Sequence, residues 1–143
     1  MKHAHTVSWA IFALLGALTI VVSLISLSAA YLNPDADLIG GRFTPAEVAN
    51  GDPELAAALS ARRGTAAAFG LSYGILLFGI AWGPYRRRGR LFKWLLIASL
   101  VNAGVILLRA PVLGVGLGLI TAFVPLALIV AAAVLGVMAK RQA

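Results

Sequence analysis

Four long apolar runs, separated by one long polar segment and two short breaks, set the pattern of this chain. They cover residues 7–32, 64–82, 91–108 and 112–138. None alternates polar and apolar positions in the period of two that marks a half-buried strand. Each is close to the ~20 residues a helix needs to cross a bilayer, where backbone groups must be satisfied within the segment itself. The pattern predicts an all-α fold: an integral membrane four-helix bundle in a single domain, 1–143. Segment 33–63 forms the one long polar connection, and 83–90 forms a short one.

The long connection carries helix punctuation of its own. In "TPAE", Thr44 stands at an N-cap, Pro45 at the first helical position and Glu47 three residues after the cap, which is a capping box. Asn50-Gly51 ends that short helix and Asp52-Pro53 starts another. The second of these is expected to run through Arg62 and Arg63 into the membrane, with a bend at Gly64. A short helical cap between the first and second spans follows.

Composition supports a bilayer as the solvent. Hydrophobic residues make up 61% of the 143 and charged residues 12%, too few to cover the surface of a small soluble domain. Cysteine is absent, which excludes disulfides, thiolate metal sites and cysteine nucleophiles. A net charge of +7 would ordinarily raise nucleic acid as a partner. The position of the charges changes that. Lys2, Arg86, Arg87, Arg88, Arg90, Lys93, Lys140 and Arg141 fall on one side of the predicted membrane, and Arg42, Arg62, Arg63 and Arg109 on the other, eight against four. By the positive-inside rule both termini and loop 83–90 are cytoplasmic, as in a bacterial inner-membrane protein. All five acids (Asp35, Asp37, Glu47, Asp52 and Glu54) lie in the extracytoplasmic loop.

Trp9, Trp82, Tyr85 and Trp94 fall near the cytoplasmic interface, where aromatic rings anchor helices. Gly83-Pro84 is read as the end of the second span, because proline cannot continue the helical ladder. Arg86, Arg87, Arg88, Arg90 and Lys93 then act as topology determinants on anionic headgroups, each stabilised by about 1 kcal/mol. The loop is too short, and too close to a competing charged membrane, to serve nucleic acid.

The N-terminus also has the outline of a signal peptide, with Lys2, an apolar run and Ser28-Ala29-Ala30 as a small-residue cleavage site. Its apolar run exceeds the roughly 7–15 residues usual for such peptides, so a retained span is the expectation.

Candidate chemistry is sparse. No Asp, Glu, Lys or His stands in the middle of a span, so proton relays and carboxylate catalysis lack their usual parts, and no enzyme activity is expected. Asn33, Asp35 and Asp37 have calcium-loop spacing, but Leu38 replaces the required glycine and Thr44 the closing glutamate. His3 and His5 are too few to hold a metal on a terminal segment. No cofactor is implied. The neutral polar groups Asn102 and Thr121, with Arg109 at the outer end of the third span, are candidates for interhelical contacts or a polar ligand. Pro125 is expected to kink the fourth span. Ala66, Gly70 and Gly74 on the second span, and Ala110, Gly114 and Gly118 around the start of the fourth, recur every four residues as close-packing stripes.

"DPELAAALSARRGTAAAFGLSYGILLFGI" (52–80), followed by a basic turn and "LLRAPVLG" (107–114), resembles uncharacterised bacterial families of small four-helix membrane proteins. The shared pattern is an acidic pre-helix, an arginine before a glycine-rich second helix and an arginine ending the third. The resemblance implies the architecture and no activity, and the fourth span here lacks a carboxylate. The function expected is a structural, accessory or oligomerising subunit of a membrane assembly, with a homo-oligomer, other membrane subunits and membrane lipids as partners. The alternative is a lipid or apolar small-molecule binding or transport module with a cavity near Asn102, Thr121 and Pro125. A further alternative is a lipid-modifying enzyme at the outer face using Arg62, Arg63, Arg109 and the loop acids.

Overall fold

The computed structural model describes residues 2–33, 43–87, 91–113 and 123–141. Among them the chain is helical, with no strand: α1 (Lys2–Tyr31), α2 (Pro45–Val48), α3 (Pro53–Ile80), α4 (Phe92–Leu113) and α5 (Val124–Arg141). A π-helical turn, Ala81–Tyr85, extends α3 without a break. Two of these helical runs are long and apolar enough to cross a membrane, His3–Tyr31 and Pro53–Tyr85. The apolar stretches of α4 and α5 are shorter, Phe92–Leu107 and Val124–Ala139.

Local chemistry explains most helix ends. α1 closes with the Leu32 N–H donating to the Ser28 carbonyl at 2.8 Å, just ahead of Asn33-Pro34, a pair that disfavours helix. α2 begins with the capping box. Glu47 N–H donates to Thr44 Oγ1 at 3.2 Å, and Thr44 N–H donates back to Glu47 Oε2 at 2.7 Å. Asn50 and Gly51 then take φ values of 50° and 86°, the left-handed region where an ordinary side chain is strained. Asp52 caps α3, accepting from Glu54 N–H at 2.9 Å and Leu55 N–H at 3.3 Å, with Pro53 in the first helical position.

The other end of α3 differs from the sequence expectation. Gly83-Pro84 does not stop the helix; Pro84 lies inside the π turn. Proline removes one donor from the α ladder, and the wider turn repairs the loss. Arg86 N–H donates five residues back to the Ala81 carbonyl at 3.1 Å, and Arg87 N–H reaches the Gly83 carbonyl at 3.3 Å. α4 likewise runs on through Pro111 to Leu113, beyond the predicted end at Leu108. Pro125 falls in the first described turn of α5. The Thr121 carbonyl that would register a kink there lies outside the described residues.

The helices form two compact units, 1–17 with 76–143, and 18–75. In the first, Ser8, Phe12 and Leu15 of α1, Leu77 and Ala81 near the end of α3, Leu95, Ser99 and Ala103 of α4, and Ile129 and Ala132 of α5 are buried. Gly16 sets the approach of α1 to α3 there: a Cβ on it would lie 2.6 Å from the Phe78 backbone nitrogen. A Cβ on Gly136 would collide with the Phe92 ring. In the second unit, Ser23 and Ala30 of α1 and Ala67 and Gly74 of α3 are buried. Gly64 is covered by the Tyr31 ring and Gly70 by Ser23 Oγ, each about as close as a missing Cβ allows, 2.6 Å from where one would stand.

The distribution of side chains is inverted relative to a soluble protein. The buried positions are mostly small: Ala13, Ala30, Ala67, Ala81, Ala103 and Ala132, with Ser8, Ser23 and Ser99. Large apolar side chains point outward in helical stripes. Leu14, Leu18, Val21 and Ile25 line one face of α1, and Ile97, Val101 and Val105 one face of α4. Phe69 on α3 is 74% exposed. Isolated exposed leucines are ordinary, but stripes of this kind, on α1 and α4, form apolar surface suited to an apolar partner or phase.

Candidate functional site

The densest set of specific contacts lies in the first unit, at the ends of α1 and α3 that carry the basic residues. Helical spacing puts His5, Ser8, Trp9 and Phe12 on neighbouring faces of α1. The π turn then presents Trp82, Tyr85 and Arg86 to them. Tyr85 packs edge-on against His5, with ring centroids 5.0 Å apart, and against Phe12 at 6.1 Å. It stacks on Phe92 of α4 at 5.8 Å. Phe12 also meets Phe92 edge-on at 6.4 Å. Trp9 meets Trp82 edge-on at 5.5 Å, while Phe78 stacks on Trp82 at 5.8 Å with the rings 12° from parallel. Such pairs contribute about 0.5–1.5 kcal/mol each beyond their area.

A buried polar chain runs through this cluster. Ser8 Oγ donates to the Ala132 carbonyl of α5 at 2.9 Å and lies 2.9 Å from the Tyr85 hydroxyl. A hydroxyl has one proton to give, so Tyr85 is the donor and Ser8 the acceptor in the second bond. Three segments distant in sequence are joined by two hydrogen bonds, with Ser8 fully buried and Tyr85 3% exposed.

Arg86 closes the cluster. Its guanidinium carbon sits 5.0 Å from the ring centroid of Trp9 and 4.8 Å from that of Trp82, a double cation–π contact. Its carbonyl lies 3.4 Å from His5 Nε2. The arrangement is a clasp rather than a reaction centre. Ser8 spends its proton on a backbone carbonyl, and its partner is a phenol, so nothing here activates a nucleophile. Among the described residues no group of three His, Cys, Asp or Glu could hold a metal ion.

The sequence-derived candidates are dispersed. Arg86 is in the clasp and, like Arg87 and Lys93, exposed; Arg88 and Arg90 lie outside the described residues. Trp94 is 67% exposed and takes no part in the cluster. Asn102 is exposed on α4, between Val101 and the stripe continuing to Val105. Arg109 falls in α4, with its side chain outside the described part, and Thr121 is outside it altogether. Gly74 is buried, Gly70 is half-buried against Ser23, and Ala66 is exposed; Gly114 and Gly118 are not among the described residues. Ser72 bonds back to its own helix, its hydroxyl donating to the Ala68 carbonyl at 3.0 Å.

Sequence reasoning missed the Ser8–Tyr85 pair and the Arg86 clasp. The signal available was the shared depth of Trp9, Trp82 and Tyr85, which read as three separate lipid anchors. Comparison with known protein families, curated proteins and solved structures gives no match.

Proposed function

We propose that this chain is a structural component of a membrane: a helix bundle embedded in the lipid, which associates with copies of itself or with other membrane subunits. One observation carries the reading, the inverted distribution of side chains, with small and hydroxylated residues inside and apolar stripes outside. In water those stripes would cost roughly 25 cal/mol for every Å² left exposed. In hydrocarbon they cost nothing, and association then depends on close backbone approach and interhelical hydrogen bonds. The close contacts at Gly16, Gly64 and Gly70 and the Tyr85–Ser8–Ala132 chain are interactions of that kind.

In this reading α4 and α5 span the membrane with α1 and α3, and both termini face the cytoplasm with Arg86. The clasp of Trp9, Trp82 and Arg86 then lies at the cytoplasmic interface, where indole rings and a guanidinium are both at home. Its role is to fix the basic end of the bundle. The subunit role is tested by native mass spectrometry of the full chain released from membranes in mild detergent. A defined oligomer or a co-purifying membrane subunit is expected. A strictly monomeric chain with no partner would refute the subunit role.

A further inference from the structure

The second unit holds an open groove between α1 and α3 of about 570 Å³, within the roughly 300–1,000 Å³ of small-ligand sites. Its lining changes character along its length. Towards one end stand Arg62, Arg63 and Ser26, with Leu59 one turn before the arginines on α3 and Arg63 Nε donating to Ser26 Oγ at 3.5 Å. One turn further along each helix, Val22 and Ala66 make the wall hydrocarbon, with Ile25 at the rim. Among the described residues no carboxylate lines it.

α1 and α3 run antiparallel under the topology proposed above, and the inference rests on that placement. Positions before Ser26 on α1 and after Arg63 on α3 both lead into the membrane. In the sequence Arg62 and Arg63 immediately precede the apolar run 64–82, which at roughly 1.5 Å per residue is long enough to cross a hydrocarbon core of about 30 Å. The arginine end of the groove therefore stands at the outer headgroup level, and the apolar end one turn deeper among the acyl chains.

We infer that this groove is a docking site for one anionic phospholipid of the outer leaflet. Charge complementarity and depth select the occupant. Arg62 and Arg63 both line the groove and carry the guanidinium chemistry that suits a phosphodiester, and Ser26, which accepts from Arg63 Nε, supplies a hydroxyl. An acyl chain follows Val22, Ile25 and Ala66, two of which are more than 60% exposed, Val22 at 63% and Ile25 at 62%. A zwitterionic lipid offers the same phosphate but brings its own cation to the arginines, so it binds less tightly. The site gives the arginines of α3 a task beyond topology.

The test uses the full chain in mild detergent, titrated with phosphatidylglycerol or phosphatidylcholine and read by native mass spectrometry. One equivalent of phosphatidylglycerol is expected to be retained saturably and in preference to phosphatidylcholine. R62Q/R63Q should weaken its retention by about 25-fold, some fivefold for each arginine, and R87Q should not. A66F, which fills the apolar end without touching a charge, should weaken both lipids. Equal retention of the two lipids, retention unchanged in R62Q/R63Q, or full displacement by millimolar inorganic phosphate would overturn the proposal, the last by making the site one for a free anion. Alkaline extraction of membranes from the same cells separates the two readings. A chain that stays in the membrane without lipid preference overturns the groove alone, and a chain released by alkali overturns the membrane placement itself.

Discussion

Ser8→Ala is the sharpest probe of how the bundle is held together. The substitution removes one oxygen from a fully buried position and leaves nearly the same volume, so no cavity term enters. It deprives the Ala132 carbonyl of a donor and leaves the Tyr85 hydroxyl, on a residue 3% exposed, with no acceptor. Stranding a buried donor costs about 1–3 kcal/mol, whereas removing a donor and leaving its acceptor partnered costs about 1 kcal/mol. Tyr85→Phe belongs to the second case, because Ser8 keeps its bond to Ala132. The expected losses are about 2 kcal/mol for S8A, about 1 for Y85F and about 2 for the double variant, a coupling near 1 kcal/mol. Membrane hydrogen bonds measured in this way average somewhat lower, about 0.6 kcal/mol with a maximum near 1.7, which sets the floor the assay must resolve. Reversible unfolding in mixed micelles, followed by helicity, gives all three values. Losses that add without coupling, or a Y85F variant costlier than S8A, would refute the hydrogen-bond chain as drawn.

The same assay checks two further substitutions. Arg86→Gln removes a guanidinium held between two indoles and should cost about 1–2 kcal/mol with a change in tryptophan emission, while Arg87→Gln, on an exposed position, should stay within about 0.5 kcal/mol. Gly16→Ala must push its new Cβ against the Phe78 backbone and should cost about 2 kcal/mol, whereas Gly79→Ala, which meets nothing within 4 Å, should gain about 0.5–1 kcal/mol from helix propensity.

The features legible in the sequence are those decided within a few residues. Thr44 and Glu47 form their capping box because the two partners lie three residues apart, and Asn50-Gly51 turns left-handed because no neighbour needs to cooperate. The all-helical character of the described chain follows from run length alone. Pro84 was misleading because the rule that proline ends a helix assumes an α ladder, and here a single π turn finds the backbone donors another acceptor. The clasp escaped for a different reason. Ser8 and Tyr85 are separated by 77 positions, and no periodicity in either helix says which face turns to the other. Asn102, the one carboxamide in a predicted span, stands on an exposed face of α4, a placement its chemistry alone does not give. Ala66, one of the small residues spaced four apart on the second predicted span, lines the open groove beside Arg62 and Arg63.

The central claim, that the apolar stripes face lipid while both termini and Arg86 face the cytoplasm, is open to direct labelling because the chain has no cysteine of its own. Single cysteines at Phe69 and Val101 report the stripes, one at Glu54 the segment between α1 and α3, and one at Arg87 the basic end of α3. In intact cells a membrane-impermeant maleimide should label E54C alone; after the inner face is opened it should label R87C as well, and F69C and V101C should stay unlabelled until the membrane is dissolved. Labelling of R87C from outside would invert the topology, and ready labelling of F69C or V101C in sealed membranes would contradict the account at its base.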